Sequence, residues 1–209
     1  ADMLAVDKMD DGALRQWQYF LGKLAGTSHF ADWRKPAYSD WKLIARDCIN
    51  ATSPGAPAYH LKLQPLAQSK EQPLWQAGDI VEVGPYNSLD SIEHFKQRLK
   101  RNIAVESLLE KDLAVSEDEL QSLQQMDDST LIDSLAELAH RPYSIASVPE
   151  EGTLDLLVRQ LQLPNRALGI GSGWLTAYAP LNAVIRLRVR SNPHFHTPAA
   201  QHPLILIGN

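Results

Sequence analysis

The 209-residue chain has a single cysteine, Cys48, so no intramolecular disulfide can form and nothing in its cysteine content points to an oxidising compartment. No apolar run approaches the ~20 residues that a membrane helix requires, and the first residues lack the charged-then-apolar order of a signal peptide. Clustered Lys and Arg are missing too. The formal net charge is -5, and the densest basic run, Lys96 to Arg101, has Glu93 beside it on a predicted helix and reads as a solvated face. Nucleic acid is therefore a poor partner, because phosphate neutralisation needs a basic cluster. These absences describe an intracellular, soluble protein and place the chain in the cytoplasm. Cys48 falls inside an apparent strand, Leu43 to Ile49, where a small buried apolar residue is the expected role.

Glycine and proline are both absent between Ser88 and Ala139, a stretch rich in Leu, Glu, Gln and Lys, which predicts helix over some fifty positions. Ser116-Glu117-Asp118-Glu119 has the form of a capping box, and Asp127-Asp128-Ser129 can open a further helix. Acids at such starts need no catalytic role. On either side the pattern is that of strands: Trp41 to Ile49, Tyr59 to Leu63 and Asp79 to Val83 before it, then Arg141 to Ser147, Thr153 to Leu161 and Asn182 to Arg190 after it. A helical block thus interrupts a β-domain. Met9 to Leu24 carries Leu14, Trp17, Leu21 and Leu24 at helical spacing, and Ser28 to Ser39, broken by Pro36, reads as a linker. The final run, Pro203 to Asn209, has the character of a buried parallel strand, from which a continuation into an α/β domain is expected.

Apolar residues make up 44% and charged residues 22%, enough to bury a sizeable core. Chemistry is concentrated in Arg141-Pro142-Tyr143-Ser144, followed by Ile145-Ala146-Ser147. Strand alternation sends Arg141 and Tyr143 to one face and Ser144 to the other, so a cation, an aromatic plane and a hydroxyl share one short segment. A half-buried strand with a salt-bridging arginine would carry the same four residues. Gly169-x-Gly171-x-Gly173 departs from the dinucleotide fingerprint, because Trp174 fills the sixth position and Pro180 follows soon after. His194, His196 and His202 lack neighbouring Cys or clustered carboxylates and fit a surface loop better than a metal site.

Four places together resemble the FAD-binding part of the diflavin reductases, the family of the sulfite reductase flavoprotein and the NADPH-dependent cytochrome reductases. They are His60-Leu61-Lys62-Leu63 with Gly78-Asp79 through Pro85-Tyr86-Asn87; the segment from Arg141 to Ser147; Gly169-Ile170-Gly171-Ser172-Gly173-Trp174-Leu175; and Ile205-Leu206-Ile207-Gly208. The resemblance implies a mainly β (α+β) fold, a six-stranded antiparallel Greek-key flavin-binding barrel split by an all-α connecting subdomain. Its parts would be 1–35, an N-terminal helix and linker from the end of a flavodoxin-like domain; 36–87 and 141–202, the two halves of the barrel; 88–140, the insert; and 203–209, the first strand of an NADPH-binding domain.

The resemblance also implies FAD as cofactor, with NADPH and FMN served by the neighbouring domains of the longer polypeptide. In it, Arg141 holds the pyrophosphate and Gly169, Gly171, Ser172 and Gly173 approach it from the other side. Tyr143 lies on the flavin ring, Ser144 stands by the reactive nitrogen as the catalytic residue, and the strand carrying Leu156 and Val158 contacts the ring through its backbone. Trp174 and Leu175 anchor the glycine turn in the core. Where many relatives have tyrosine, this chain has Gln160. Two functions fit: an NADPH-dependent flavoprotein reductase passing electrons to FMN or another acceptor, and an FAD-binding or interaction module with no reductase activity of its own.

Overall fold

The structure, a computed structural model, describes residues 21, 38–66, 75–164 and 166–196. The expected helix from Met9 to Leu24 (Leu21 apart), nearly all of the linker, His202 and the strand at 203–209 lie outside the described residues. The chain divides into two units, 1–37 and 38–209, and the second carries everything below.

Six strands form one sheet in which every pairing is antiparallel: β1 (Ser39–Cys48), β2 (Ala58–Pro65), β3 (Ile80–Gly84), β4 (Arg141–Ser144), β5 (Leu154–Arg159) and β6 (Val184–Arg190), in the order β4-β3-β6-β1-β2-β5. With four α-helices among the described residues, the fold is mainly β. The outer strands β4 and β5 meet at one point, where Ile145 bridges to Leu156 and the Ala146 N–H donates to Asp155 O at 2.8 Å.

Alternation sets the faces. Along β6, Ile185 and Leu187 are buried while Arg186 and Arg190 are exposed and Arg188 half-buried. Glu82 on β3 lies directly opposite Arg188 and accepts from its Nε at 2.6 Å, a cross-strand charge pair. The Arg188 hydrogen bond, against a smaller opposing effect of burial, holds the Glu82 carboxyl below its usual range. The inward positions, among them Trp41, Leu43, Leu61, Leu63, Val83 and Leu156, build one apolar core. Burying those side chains is the main force holding the sheet together, at about 1.5–3 kcal/mol for each large one.

Cys48 departs from its expected burial: it is exposed. The register between β1 and β2 shifts between Leu43 and Ala45, so the strict inward alternation seen at Trp41 and Leu43 does not continue, and Cys48 ends the strand facing solvent.

A second, separate core lies between β3 and β4 in sequence. It is built by Ile92, Phe95 and Leu99 of α1 (Leu89–Leu99), Leu120 and Leu123 of α2 (Glu117–Gln124) and Leu131 of α3 (Asp128–Ser134). Ser116 and Glu119 form the expected capping box, and Asp127 caps α3 through the Thr130 N–H. The helical composition overreaches between them. Lys100 takes a left-handed conformation (φ 57°) and ends α1, and the chain from there to Ser116 holds only one short 3-10 turn. Asn87 fixes the entry to this region by donating from Nδ2 to Leu108 O (2.8 Å) and Lys111 O (2.7 Å). No helix among the described residues is long and apolar enough to cross a membrane.

Candidate functional site

Past the Ile145–Leu156 bridge, β4 and β5 have no further pairing with each other. A short helix is seated where they part: α4 (Ile170–Gly173), which runs directly into a π-helical turn, Trp174–Tyr178, closed by the Ala179 N–H on Trp174 O at 2.8 Å. π turns of this kind concentrate at functional sites. Arg46 of β1 holds the far end of the turn, donating from Nη1 to Ala179 O at 2.7 Å and Leu175 O at 3.4 Å, where a cation complements the carbonyls of a helix C-terminus.

Glycine at 171 brings two distant segments together. A Cβ there would stand 2.7 Å from Arg141 Cγ and 2.7 Å from Tyr143 Oη, closer than side chains tolerate. Only a residue without a side chain allows α4 to approach β4 so closely. Arg141 and Tyr143 pair with Val83 and Val81, on the inward side of β3, and Ser144 pairs with Ile80 on the other.

Arg141 is exposed and has no carboxylate partner among the described residues; Nη1 donates only to Ala139 O (3.1 Å) and His140 O (3.5 Å). The salt-bridging alternative therefore lacks its acid here. Tyr143 is half-buried against the core, and burial pushes its hydroxyl pKa up to about 12, against a smaller opposing pull from Arg141. Its hydroxyl has no hydrogen-bond partner among the described residues. Ser144 is exposed. Cation and phenol thus stand beside a helix start, whose first-turn N–H groups have no acceptor within the helix, while the Ser144 hydroxyl lies on the other face of β4.

The other side of α4 is fastened to the chain after β5. Ser172 Oγ accepts from the Leu161 N–H at 3.0 Å and donates to Gly169 O at 3.3 Å, and the Gly169 N–H donates to Leu161 O at 2.8 Å. The Ser172 hydroxyl proton is thus engaged inside the turn, so this side chain shapes the turn and leaves an anion to the backbone. Gln160 Nε2 donates to Thr176 Oγ1 at 2.9 Å, and Thr176 Oγ1 donates to Ser172 O at 2.6 Å, tying the end of β5 to the π turn. Leu156 has strand partners on both sides, Leu61 and Ile145, whereas among the described residues Val158 pairs with Tyr59 of β2 alone. The free edge of β5 begins beyond Leu156, and both side chains face the core. Gly173 is held close to Leu168 and Tyr178. Trp174 and Leu175 are buried in the core, and the Trp174 Nε1–H finds no acceptor among the described residues.

The remaining motif residues hold the frame. Asp79, buried, accepts from the backbone N–H groups of Gln76 and Asn192 and pairs with His196 Nε2 at 2.6 Å. Sequence reasoning missed Asp155. It is 2% exposed and receives His60 Nε2 at 2.7 Å, Lys62 Nζ at 3.3 Å and the Thr153 hydroxyl at 2.7 Å. Burial raises its carboxyl, but the hydrogen bonds from Thr153, His60 and Lys62 outweigh that and hold it below the usual range. The clue is in the sequence: an acid between Leu154 and Leu156 in a buried strand must be paired.

No known family matches the sequence, and no curated protein does either. Among solved structures, the chain is similar to ferredoxin-NADP+ reductase from Plasmodium falciparum. With 2'P-AMP, that enzyme is 15% identical at a TM-score of 0.45, covering 78% of this chain and 41% of that one. Another structure of it gives a TM-score of 0.44 at 15% identity over 77% of this chain and 41% of that one. A point mutant of it with 2'P-AMP gives 0.46 at 15% identity over 78% and 42%. The chain spans less than half the length of these enzymes.

Proposed function

We propose that residues 36–202 hold FAD as the flavin-binding part of an NADPH-dependent flavoprotein reductase of the diflavin type, a Greek-key barrel split by a helical connecting subdomain. The observation that carries this reading is the meeting of Arg141 and Tyr143 with Gly171, which sets beside a helix start a guanidinium without an acid and a phenol without a hydrogen-bond partner among the described residues. A pyrophosphate would answer the guanidinium, and a flat ring joined to it would stack on the phenol's face.

In this reading Arg141 clamps the phosphates with paired, charge-assisted hydrogen bonds, and the backbone N–H groups at Gly171 and Ser172 meet them from the other side. Tyr143 gives its ring as a platform. Ser144, exposed on the same strand, donates a hydrogen bond beside the ring's reactive nitrogen. Val158 offers its backbone to the ring from the free edge of β5. Gly169 and Gly173 let the turn pack against Leu161 and Leu168. FAD, when bound, supplies the hydride chemistry; the protein supplies placement and electrostatics. An NADPH-binding domain following this part and a flavodoxin-like FMN domain preceding it would complete the electron path.

The test is flavin uptake. Protein mixed with FAD and desalted is expected to keep a visible flavin absorbance, and a colourless protein would overturn the reading. In a polypeptide extended past Asn209, NADPH is expected to bleach that band. Retained colour without bleaching would make the chain a passive FAD module.

A further inference from the structure

Ala139 and His140 lie between the last fastening of the helical region, where the Leu138 N–H donates to Glu110 O at 2.7 Å, and Arg141, the first residue of β4. Their two carbonyls are the acceptors of the Arg141 guanidinium among the described residues. The His140 side chain holds this segment to the sheet. Its ring meets the Tyr38 ring edge-on, with centroids 4.5 Å apart, and its Nδ1 is hydrogen-bonded to Tyr38 Oη. Tyr38 stands one residue before β1, 102 residues from His140 in sequence. The Tyr38 hydroxyl donates to Glu82 Oε2 at 3.2 Å, so its oxygen is left to accept from His140, which carries its proton on Nδ1.

The chain of bonds goes on into the sheet. Glu82 is fixed by Arg188 Nε at 2.6 Å and Arg190 Nη1 at 3.5 Å, and the Arg188 guanidinium lies over the Tyr38 ring, 5.8 Å from its centroid. Burial raises the Tyr38 hydroxyl pKa, and Glu82 adds to the rise against smaller pulls from Arg188 and Arg186, so the phenol keeps its proton. Gly84 gives the imidazole room, since a Cβ there would stand 3.3 Å from His140 Nε2.

We infer that Tyr38 and His140 form a latch that positions Arg141, so that a tyrosine ahead of β1 governs how well the domain grips a pyrophosphate. The inference rests on the flavin reading and deepens it by naming two positioning residues. Preorganisation is the physical reason. Pairing with Val83 on β3 sets the Arg141 backbone, but the guanidinium reaches back to carbonyls outside that pairing. While the His140 ring is pinned through Tyr38, Glu82 and Arg188, those carbonyls keep one position and the guanidinium waits in it. Without the pin the segment must be ordered when the anion binds, at a cost in affinity. Tyr38 and His140 share one bond, so removing either removes the whole effect.

The test has two parts. In the flavin-free chain, the ring-nitrogen resonances of His140 are expected to show its proton on Nδ1, and Tyr38→Phe is expected to abolish that preference. Fluorescence titrations with FAD and riboflavin then read the effect on binding. Tyr38→Phe and His140→Leu are each expected to bind FAD about fivefold more weakly, while riboflavin, which has no phosphate, binds as it does to wild type. His140→Asn, whose amide N–H can stand in the place of Nδ1–H, is expected to recover FAD affinity to within about twofold. The double variant Tyr38→Phe, His140→Leu is expected to lose no more than either single one. Full FAD affinity in either single variant, an equal loss of riboflavin, losses that multiply in the double variant, no recovery in His140→Asn, or a His140 proton on Nε2 alone would each overturn the inference. If wild type prefers FAD over riboflavin, such a result removes the latch and leaves the flavin reading standing; a wild type that takes up neither flavin removes both.

Discussion

Gly171 and Tyr143, far apart in sequence, touch so closely that a methyl group on the glycine would stand 2.7 Å from the tyrosine hydroxyl. The contact joins β4 to α4 and places a phenol and a guanidinium at one helix start. Its consequences can be measured.

Gly171→Ala forces Arg141 and Tyr143 out of place. Overpacking of this kind costs about 1–3 kcal/mol, so the protein is expected to fold with a lower thermal midpoint. FAD affinity, followed by quenching of flavin fluorescence, is expected to fall about tenfold or more, because both anchors move together. Wild-type affinity would show that the contact is not part of the site.

Tyr143→Phe removes a hydroxyl with no internal partner among the described residues. Stability is expected to stay within about 0.5 kcal/mol. Flavin binding keeps its ring platform, so Tyr143→Phe is expected to weaken it less than Tyr143→Ala does. Equal losses in the two variants, compared by the same titration, would remove the ring from the account.

Ser172→Ala breaks the bonds to Leu161 N–H and Gly169 O. Because Leu161 is exposed and its N–H can turn to water, losing these bonds is expected to cost about 0.5–1.5 kcal/mol in denaturant unfolding. The backbone of the turn would still face the anion. FAD affinity is thus expected to drop only as far as the turn loosens, and adding a stabilising neutral osmolyte such as sucrose should restore most of it.

Asp155 gives acid sensitivity a definite sign. Its carboxyl is held below the usual value in the folded chain. The stability it contributes is therefore complete above the unfolded value of about 4 and is lost as pH falls through the lower folded value. Denaturant unfolding from pH 6 to pH 2 is expected to show wild type losing stability over that window. Asp155→Asn is expected to start about 1–3 kcal/mol lower at pH 6 and to lose less across the window. Parallel curves would contradict this assignment.

The strands were legible where apolar and polar residues alternate on a half-buried sheet, as Ile185 and Leu187 do against Arg186 and Arg190. Helix starts were legible because Ser116, Glu119 and Asp127 act within one turn. What the sequence hid depends on contacts far apart along the chain. A register shift near Ala45 exposes Cys48, and no residue type announces it. Lys100 ends α1 in a left-handed turn without the glycine or proline that signals a stop. At the site, Arg141, Tyr143 and Gly171 could be picked out as motifs, but their convergence could not. Nor could the capture of the Ser172 hydroxyl by Leu161, since that needs the fold around it.

The central claim is that Arg141 holds a pyrophosphate, and comparing FAD with riboflavin tests it most directly, because riboflavin has the ring and lacks the phosphates. Fluorescence titrations of wild type and Arg141→Ala with both flavins give four affinities. FAD is expected to bind wild type far more tightly than riboflavin, and Arg141→Ala is expected to erase most of that preference while leaving riboflavin binding unchanged. If wild type fails to distinguish the two flavins, or if Arg141→Ala keeps the full preference for FAD, the account is contradicted.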